Sequence, residues 1–473
     1  MDPRRESHYM KGHNKSLGIV IKLGTSSIVD EKTHQPLLSN LSLIVETAHK
    51  LRVDGHRVVI VSSGAIGVGL RRMEKEKRPK HLAQLQALAA IGQCRLMNIW
   101  DSLFNHLQQP VAQILLTRND IADRSRYLNA QNTFNELLDM GVIPIVNEND
   151  TLAVSEIKFG DNDTLSAITA AMVHADLLFL MTDVDCLYDK NPRTNPDARP
   201  IEIVEDISTI QADVSSAGSA LGTGGMSTKI VAARLATSAG VTTVITRASN
   251  PGNIGRIAQH IQASRSPASL VTHEAAQGSG VEAAAAAAED PLARSTSSLQ
   301  DLNLAPREEV PLHTRFLPSP HPIRDRSFWI LHGLKPHGDI YIDSGCYKAL
   351  LNKAGLLPVG VVDLAGTFGQ HESVRLLVVE RSAAPGPDGR LWHGEPLDVG
   401  RALVNYSSTQ IALIKGHQSK DIERLLGYAD SGYVAEREHI TFSRVESRPQ
   451  TPTPLGPGAT SVPGATAELK LKV

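Results

Sequence analysis

The sequence has little cysteine, no long apolar run and no excess of charge of either sign. Only Cys94, Cys186 and Cys346 occur, far apart and odd in number. That pattern fits neither a disulfide framework nor a zinc site. A reducing compartment is the simplest expectation, with the cytoplasm as default location. Apolar runs such as Leu177–Met181 fall far short of the roughly 18 residues a membrane span needs. The first fifteen residues carry Arg4, Arg5, Glu6, His8 and Lys11 without an apolar stretch, so no targeting segment is expected there. Lysine and arginine number 48 against 50 aspartates and glutamates, a formal net charge of −2. A chain built mainly to coat nucleic acid would carry a basic surplus. Neither GxGxxG nor GxxxxGK[ST] is present, which excludes the common dinucleotide fingerprint and the P-loop.

What is present is 473 residues, of which 41% are hydrophobic, enough for a sizeable core in two or three domains. From Leu17 to about Ala263, short β-branched runs alternate with helical stretches. Leu17–Leu23, Arg57–Ser62, Val111–Thr117, Val142–Asn147, Leu177–Thr182 and Val241–Thr246 read as strands. Leu37, Leu41, Ile44, Ala48 and Leu51 recur at helical spacing. This alternation predicts an α/β fold with a mostly parallel sheet and helices on both faces. Ligands of such sheets bind at the carboxyl ends of the strands.

After Ser264 the composition changes. Six consecutive alanines, Ala283–Ala288, and a Ser/Thr-rich stretch lie in a segment without sustained periodicity. Residues 264–324 are expected to be a flexible insert and linker. Regular pattern resumes near Ser327. Phe328–Leu331, Gly338–Asp343, Val359–Leu364 and Val374–Glu380 read as strands and Gly345–Ala354 as a helix, giving a smaller α+β domain over 325–446. Five prolines mark the last 28 residues, and residues 447–473 are expected to be a disordered tail. Residues 1–15 form a short extension before the first domain, 16–263.

Four clusters follow predicted strands. Lys22-Leu-Gly-Thr-Ser-Ser27 offers an ammonium group, a permissive glycine and hydroxyls suited to phosphate oxygens. Ser62-Ser-Gly-Ala-Ile-Gly-Val-Gly69 opens a helix, whose free N–H groups favour an anion. Asn147-Glu-Asn-Asp150 and Gly160-Asp-Asn-Asp163 set seven acidic and amide side chains at two neighbouring element ends. Helix capping accounts for one or two of Asp161, Asn162 and Asp163. Carboxylates of this kind bind ammonium groups or orient lysines, and amides hold carboxylates. Met181-Thr-Asp-Val-Asp185 precedes a glycine-rich loop, Gly222-Thr-Gly-Gly-Met-Ser-Thr-Lys229, that can cradle phosphates.

Taken in this order, residues 17–262 resemble the glutamate 5-kinases of the amino-acid-kinase superfamily. The second domain, with Trp329-Ile-Leu-His-Gly333, Gly338–Asp343 and Ile422–Tyr428, resembles a PUA domain. Thr314-Arg-Phe-Leu-Pro318 resembles the family's segment between the two. The resemblance implies a three-layer α/β/α sandwich followed by a β-rich PUA-like domain. It implies ATP-dependent phosphorylation of the side-chain carboxylate of L-glutamate, the opening step of proline biosynthesis, with proline as a competing inhibitor. It assigns Lys22 and Lys229 to the transferring phosphoryl group and Asp161 to orienting those lysines. Ser63, Asp150 and Asn162 are assigned to glutamate. Thr182, Asp183, Thr223, Gly224, Gly225, Met226, Ser227, Thr228 and Lys229, with Lys22, are assigned to the nucleotide. Mg²⁺ would ride mainly on the ATP phosphates, with no protein ligand named. Homo-oligomerisation is a family expectation. The chain has no region resembling a fused reductase.

Two other readings stand beside this one. A different carboxylate, such as aspartate or acetylglutamate, could be the acceptor of the same fold. RNA binding through the PUA-like domain is the reading from another class. Residues 325–446 carry 13 lysines and arginines against 15 aspartates and glutamates, a poor balance for neutralising phosphates.

Overall fold

The computed structural model describes residues 16–152, 162–192, 194–207, 225–264, 310–323, 325–382 and 390–443. The insert over 265–309, the extension over 1–15 and the tail over 447–473 lie outside the described residues.

The first domain is built on an eight-stranded sheet. Its strands are β1 (Gly18–Leu23), β2 (Arg57–Ser62), β3 (Val111–Leu116), β4 (Ile143–Glu148), β5 (Leu177–Thr182), β8 (Ile203–Val204), β9 (Thr242–Arg247) and β10 (Thr314–Phe316). The order across the sheet is β3-β4-β2-β1-β5-β9-β10-β8, and a two-stranded ribbon of β6 (Leu187–Tyr188) and β7 (Pro200–Ile201) stands apart. Strands β3 to β9 run parallel, while β10 runs antiparallel to β9. Because side chains alternate along a strand, each central strand feeds two cores. Val20, Val59, Val61, Leu178 and Leu180 point to one, and Ile19, Ile21, Val58, Ile60, Leu177 and Phe179 to the other. Burial on both faces explains the continuous apolar runs of the sequence.

Helices α1 (Leu38–Val53), α3 (Leu82–Asn105) and α8 (Asn253–Ser264) cover one face through Leu41, Ile44, Leu96, Trp100, Phe104 and Ile257. Helices α5 (Arg124–Asp139), α6 (Asn162–Met172) and α7 (Met226–Ser238) cover the other through Tyr127, Phe134, Leu165, Ile168 and Ala232. The short helices α2 (Ala65–Arg72) and α4 (Arg118–Ala122) follow β2 and β3. The result is the three-layer sandwich that the resemblance implies, with helices on both faces as the alternation predicts. Two glycines let α2 and α3 cross at contact distance. A Cβ on Gly92 would lie 1.7 Å from the Ala65 carbonyl oxygen, and one on Gly69 would lie 2.1 Å from that of Leu88.

The C-terminal domain is a five-stranded sheet of β11 (Gly338–Asp343), β12 (Val361–Gly366), β13 (Ser373–Arg381), β14 (Trp392–Leu403) and β15 (Ile440–Phe442), in the order β12-β11-β13-β14-β15. Helices α9 (Ser344–Leu351), α10 (Ser408–Ile414) and α11 (Ile422–Leu426) accompany it. Ile340, Ile342, Leu376, Val404, Tyr406 and Ile411 form its core.

Two segments differ from the sequence reading. Phe328–Leu331, expected as a strand, is helical: Asp325–Phe328 is α-helical and Trp329–Gly333 forms a π-helical turn. Its apolar side chains are buried not in a sheet but against the first domain. Phe328, Trp329 and Ile330 join the core that holds Leu116, Ile121 and Tyr127. The buried Trp329 indole N–H donates to the Ile121 carbonyl at 2.9 Å, and the Arg124 guanidinium lies 5.3 Å from the Trp329 ring. Second, β10 lies inside the stretch read as linker, yet it pairs with β9 and β8. The two domains are therefore joined through shared core.

Candidate active site

The site lies at the carboxyl ends of the parallel strands. Lys22 is the fifth residue of β1, and Ser63 follows β2. Asn147 is the penultimate residue of β4, and Thr182 closes β5. The N-termini of α6 and α7 bring Asn162 and Lys229 to the same edge.

Lys22 and Lys229 are both buried, at 3% and 7% exposure, and converge on the fully buried carboxylate of Asp163. Lys22 Nζ contacts Oδ1, and Lys229 Nζ lies 3.3 Å from Oδ2. The Thr228 hydroxyl donates to Oδ2 at 2.8 Å and accepts from the Gly225 N–H at 3.1 Å. Burial pushes the Asp163 carboxyl upward. The Lys22 and Lys229 ammonium groups, with the hydrogen bonds from Lys22 and Thr228, outweigh it and hold the pKa below the ordinary aspartate value. Two ammonium groups share this carboxylate, which concentrates positive charge away from bulk water. Such a charge attracts an anion more strongly than it would in water.

A chain of hydrogen bonds runs beside the triad. The Asn162 amide N–H₂ donates to Ser63 Oγ at 2.8 Å and to Asn147 Oδ1 at 2.9 Å. Asn147 Oδ1 also accepts from the Glu148 N–H at 2.9 Å, and its own amide donates to Gln93 Oε1 at 2.9 Å. Behind Ser63, the buried Trp100 indole donates to Ser62 Oγ at 3.2 Å. Gly64, at φ +101°, makes the sharp turn from β2 into α2.

At the other end of the edge, the Thr182 hydroxyl donates to Asp183 Oδ1 at 3.1 Å. Arg247, in register with Thr182 across β5 and β9, makes a bidentate pair with Asp185 at 2.7 Å for each bond. Met226, Ser227, Thr228 and Lys229 form the first turn of α7, with Gly225 as its N-cap. Free N–H groups at such a terminus favour an anion.

The structure thus brings together Lys22, Lys229, Ser63 and Asn162 from separate motifs. Asp150 lies just beyond β4 and is half-buried. Asp161, Thr223 and Gly224 lie outside the described residues. The carboxylate that meets both lysines among the described residues is Asp163, which the sequence placed in the acidic cluster as a candidate helix cap, the orienting role being assigned to Asp161. Burial of Asp163 in the first turn of a helix is the physical signal, and that needs the fold. Gln93, in the middle of α3, belongs to no motif.

The amino acid kinase family model matches residues 18–247, and the PUA domain model matches residues 338–426. A probable glutamate 5-kinase of Schizosaccharomyces pombe is 51% identical over 440 residues, covering 92% of this chain and 96% of that protein. This chain belongs to the amino acid kinase family. Glutamate 5-kinases of Trichormus variabilis and of a Nostoc species are each 44% identical over 430 residues, covering 90% of this chain. They cover 99% and 97% of those proteins. The match therefore spans both domains of this amino acid kinase.

Proposed function

We propose that this kinase transfers the γ-phosphoryl group of ATP to the side-chain carboxylate of L-glutamate, giving glutamyl 5-phosphate. The observation that carries the reading is the pair of buried lysines sharing one carboxylate at the ligand edge of the sheet. The names of the relatives supply the acceptor.

The chemistry fits these residues. A glutamate side chain has an unperturbed pKa of about 4.3, so it is already an anion at neutral pH and needs no general base. The difficulty is bringing that anion to a charged phosphate and spreading charge during transfer. Lys22 and Lys229 would stabilise the transferring group, held in place by Asp163 and Thr228. This is catalysis by positioning and electrostatics. Ser63, Asp150 and Asn162 would bind glutamate, and Asp161 would help orient the two lysines. Thr182, Asp183 and the residues from Thr223 to Lys229 would hold the nucleotide. With Asp163 engaged by two ammonium groups and a hydroxyl, Mg²⁺ would be carried on the ATP phosphates, where it neutralises charge. Proline shares the α-amino-acid head group of glutamate and would compete at the same site, in keeping with a place at the start of proline biosynthesis.

Several basic side chains of the PUA domain are already paired with carboxylates, which does not favour RNA as its ligand. Arg375 pairs with Asp339, Arg401 with Asp398 and Lys415 with Asp363.

The test is ADP release from Mg-ATP with L-glutamate, L-aspartate and N-acetyl-L-glutamate as acceptors. Turnover with glutamate above the others supports the reading. Turnover only with another carboxylate overturns the acceptor and keeps the kinase.

A further inference from the structure

The Asn162 side chain is held in one sense. Both hydrogens of its amide are committed, one to Ser63 Oγ and one to Asn147 Oδ1. Its carbonyl oxygen, Oδ1, is buried and meets no donor among the described residues. A buried acceptor left unsatisfied is costly, so such an atom at a ligand edge calls for a donor from the ligand.

The sense of Asn162 depends on the sense of Asn147. Were the Asn147 amide turned over, its N–H₂ would face the Glu148 N–H and the Asn162 N–H₂, donor against donor. The Glu148 N–H holds one side of Asn147, and Gln93 Oε1 holds the other by accepting from Nδ2. Gln93 reaches Asn147 because its neighbour Gly92 lets α3 lie against the Ala65 carbonyl at the start of α2.

We propose that Gln93 is a positioning residue that, through Asn147, fixes the Asn162 amide so that its oxygen receives the α-ammonium of the amino-acid substrate. This rests on the reading of the acceptor as glutamate. At neutral pH glutamate carries two carboxylates, which only accept, and one ammonium, its only strong donor. An acceptor atom can be satisfied only by that ammonium. Gln93 thereby contributes to selecting a free amino acid over the same dicarboxylate without nitrogen.

The test compares Gln93→Leu with the parent protein, taking Gln93→Met as the second variant should the first not fold. KM for L-glutamate, KM for ATP and the inhibition constant of glutarate are measured. Loss of the relay is expected to raise KM for glutamate about threefold to tenfold, the effect of one hydrogen bond. KM for ATP and the inhibition constant of glutarate stay unchanged. Equal shifts for glutamate and glutarate would mean a general distortion of the site and overturn the proposal, as would no shift at all. If the parent protein gives no glutamate-dependent turnover, the acceptor reading fails, and the relay is judged by NMR. The Asn162 side-chain amide signal, assigned by its loss in Asn162→Asp, moves in Gln93→Leu if the relay holds and stays in place if it does not.

Discussion

Lys22 at the end of β1 and Lys229 in the first turn of α7 touch the two oxygens of one buried carboxylate, that of Asp163. Both lysines draw on the same counter-charge, so the triad is expected to behave as a unit. Asp163→Asn leaves two buried ammonium groups facing an amide. Breaking a buried pair in this way costs about 3–5 kcal/mol of stability. Misplacing the lysines is expected to lower kcat by about 10²–10³. Thermal melting together with ADP release checks both effects, and an Asp163→Asn protein with near-parental kcat would remove Asp163 from the account.

The lysines themselves are expected to act on kcat more than on KM. Lys22→Ala and Lys229→Ala should each lower kcat by on the order of 10²–10³, as for the loss of one preorganised charge-stabilising donor. The double variant should lose much less than the product of the two, because residues acting as a unit are not additive. Steady-state kinetics of the three variants reads this directly.

Trp329 ties the domains together. Trp329→Ala removes a buried indole from the shared core and leaves the Ile121 carbonyl without its donor. A loss of about 3–5 kcal/mol is expected. Calorimetry should then separate the melting of the two domains. A single unchanged transition would contradict the shared core.

How much of this was legible in sequence follows from local physics. Val-Val-Ile-Val in Arg57–Ser62 announces a strand buried on both faces, and the same holds for β1, β5 and β9. Phe328–Leu331 was misread because a short apolar aromatic run does not tell helix from strand, and only the bond from Trp329 to Ile121 fixes its partner. β14 escaped because Gly394, Pro396 and Gly400 interrupt its pattern, and β10 because three residues carry no period. In the site, Lys22, Lys229, Ser63 and Asn162 stand in motifs. Asp163 and Gln93 gain their meaning only from side chains distant in the chain.

His332 makes the joint between the domains sensitive to acid. Burial first, and then the nearby Arg401 guanidinium, push its pKa down to about 4, and it packs against the Phe328 ring. The unfolded chain takes up a proton near pH 6.5 that the folded chain refuses. Stability is therefore full above pH 6.5 and falls as pH drops from about 6.5 to 4, by about 1 kcal/mol per pH unit. Denaturant melts at pH 7.5 and 5.5 should show this slope, reduced in His332→Gln. An equal slope in both proteins would assign the acid sensitivity elsewhere.

The most direct measurement of the central claim is formation of γ-glutamyl hydroxamate when the protein, Mg-ATP and L-glutamate are mixed with hydroxylamine, with and without proline. A hydroxamate that requires ATP and glutamate, disappears in Lys229→Ala and is suppressed by proline is the expected result. ADP release without hydroxamate, or no reaction with glutamate from folded protein, would contradict phosphoryl transfer to its side-chain carboxylate.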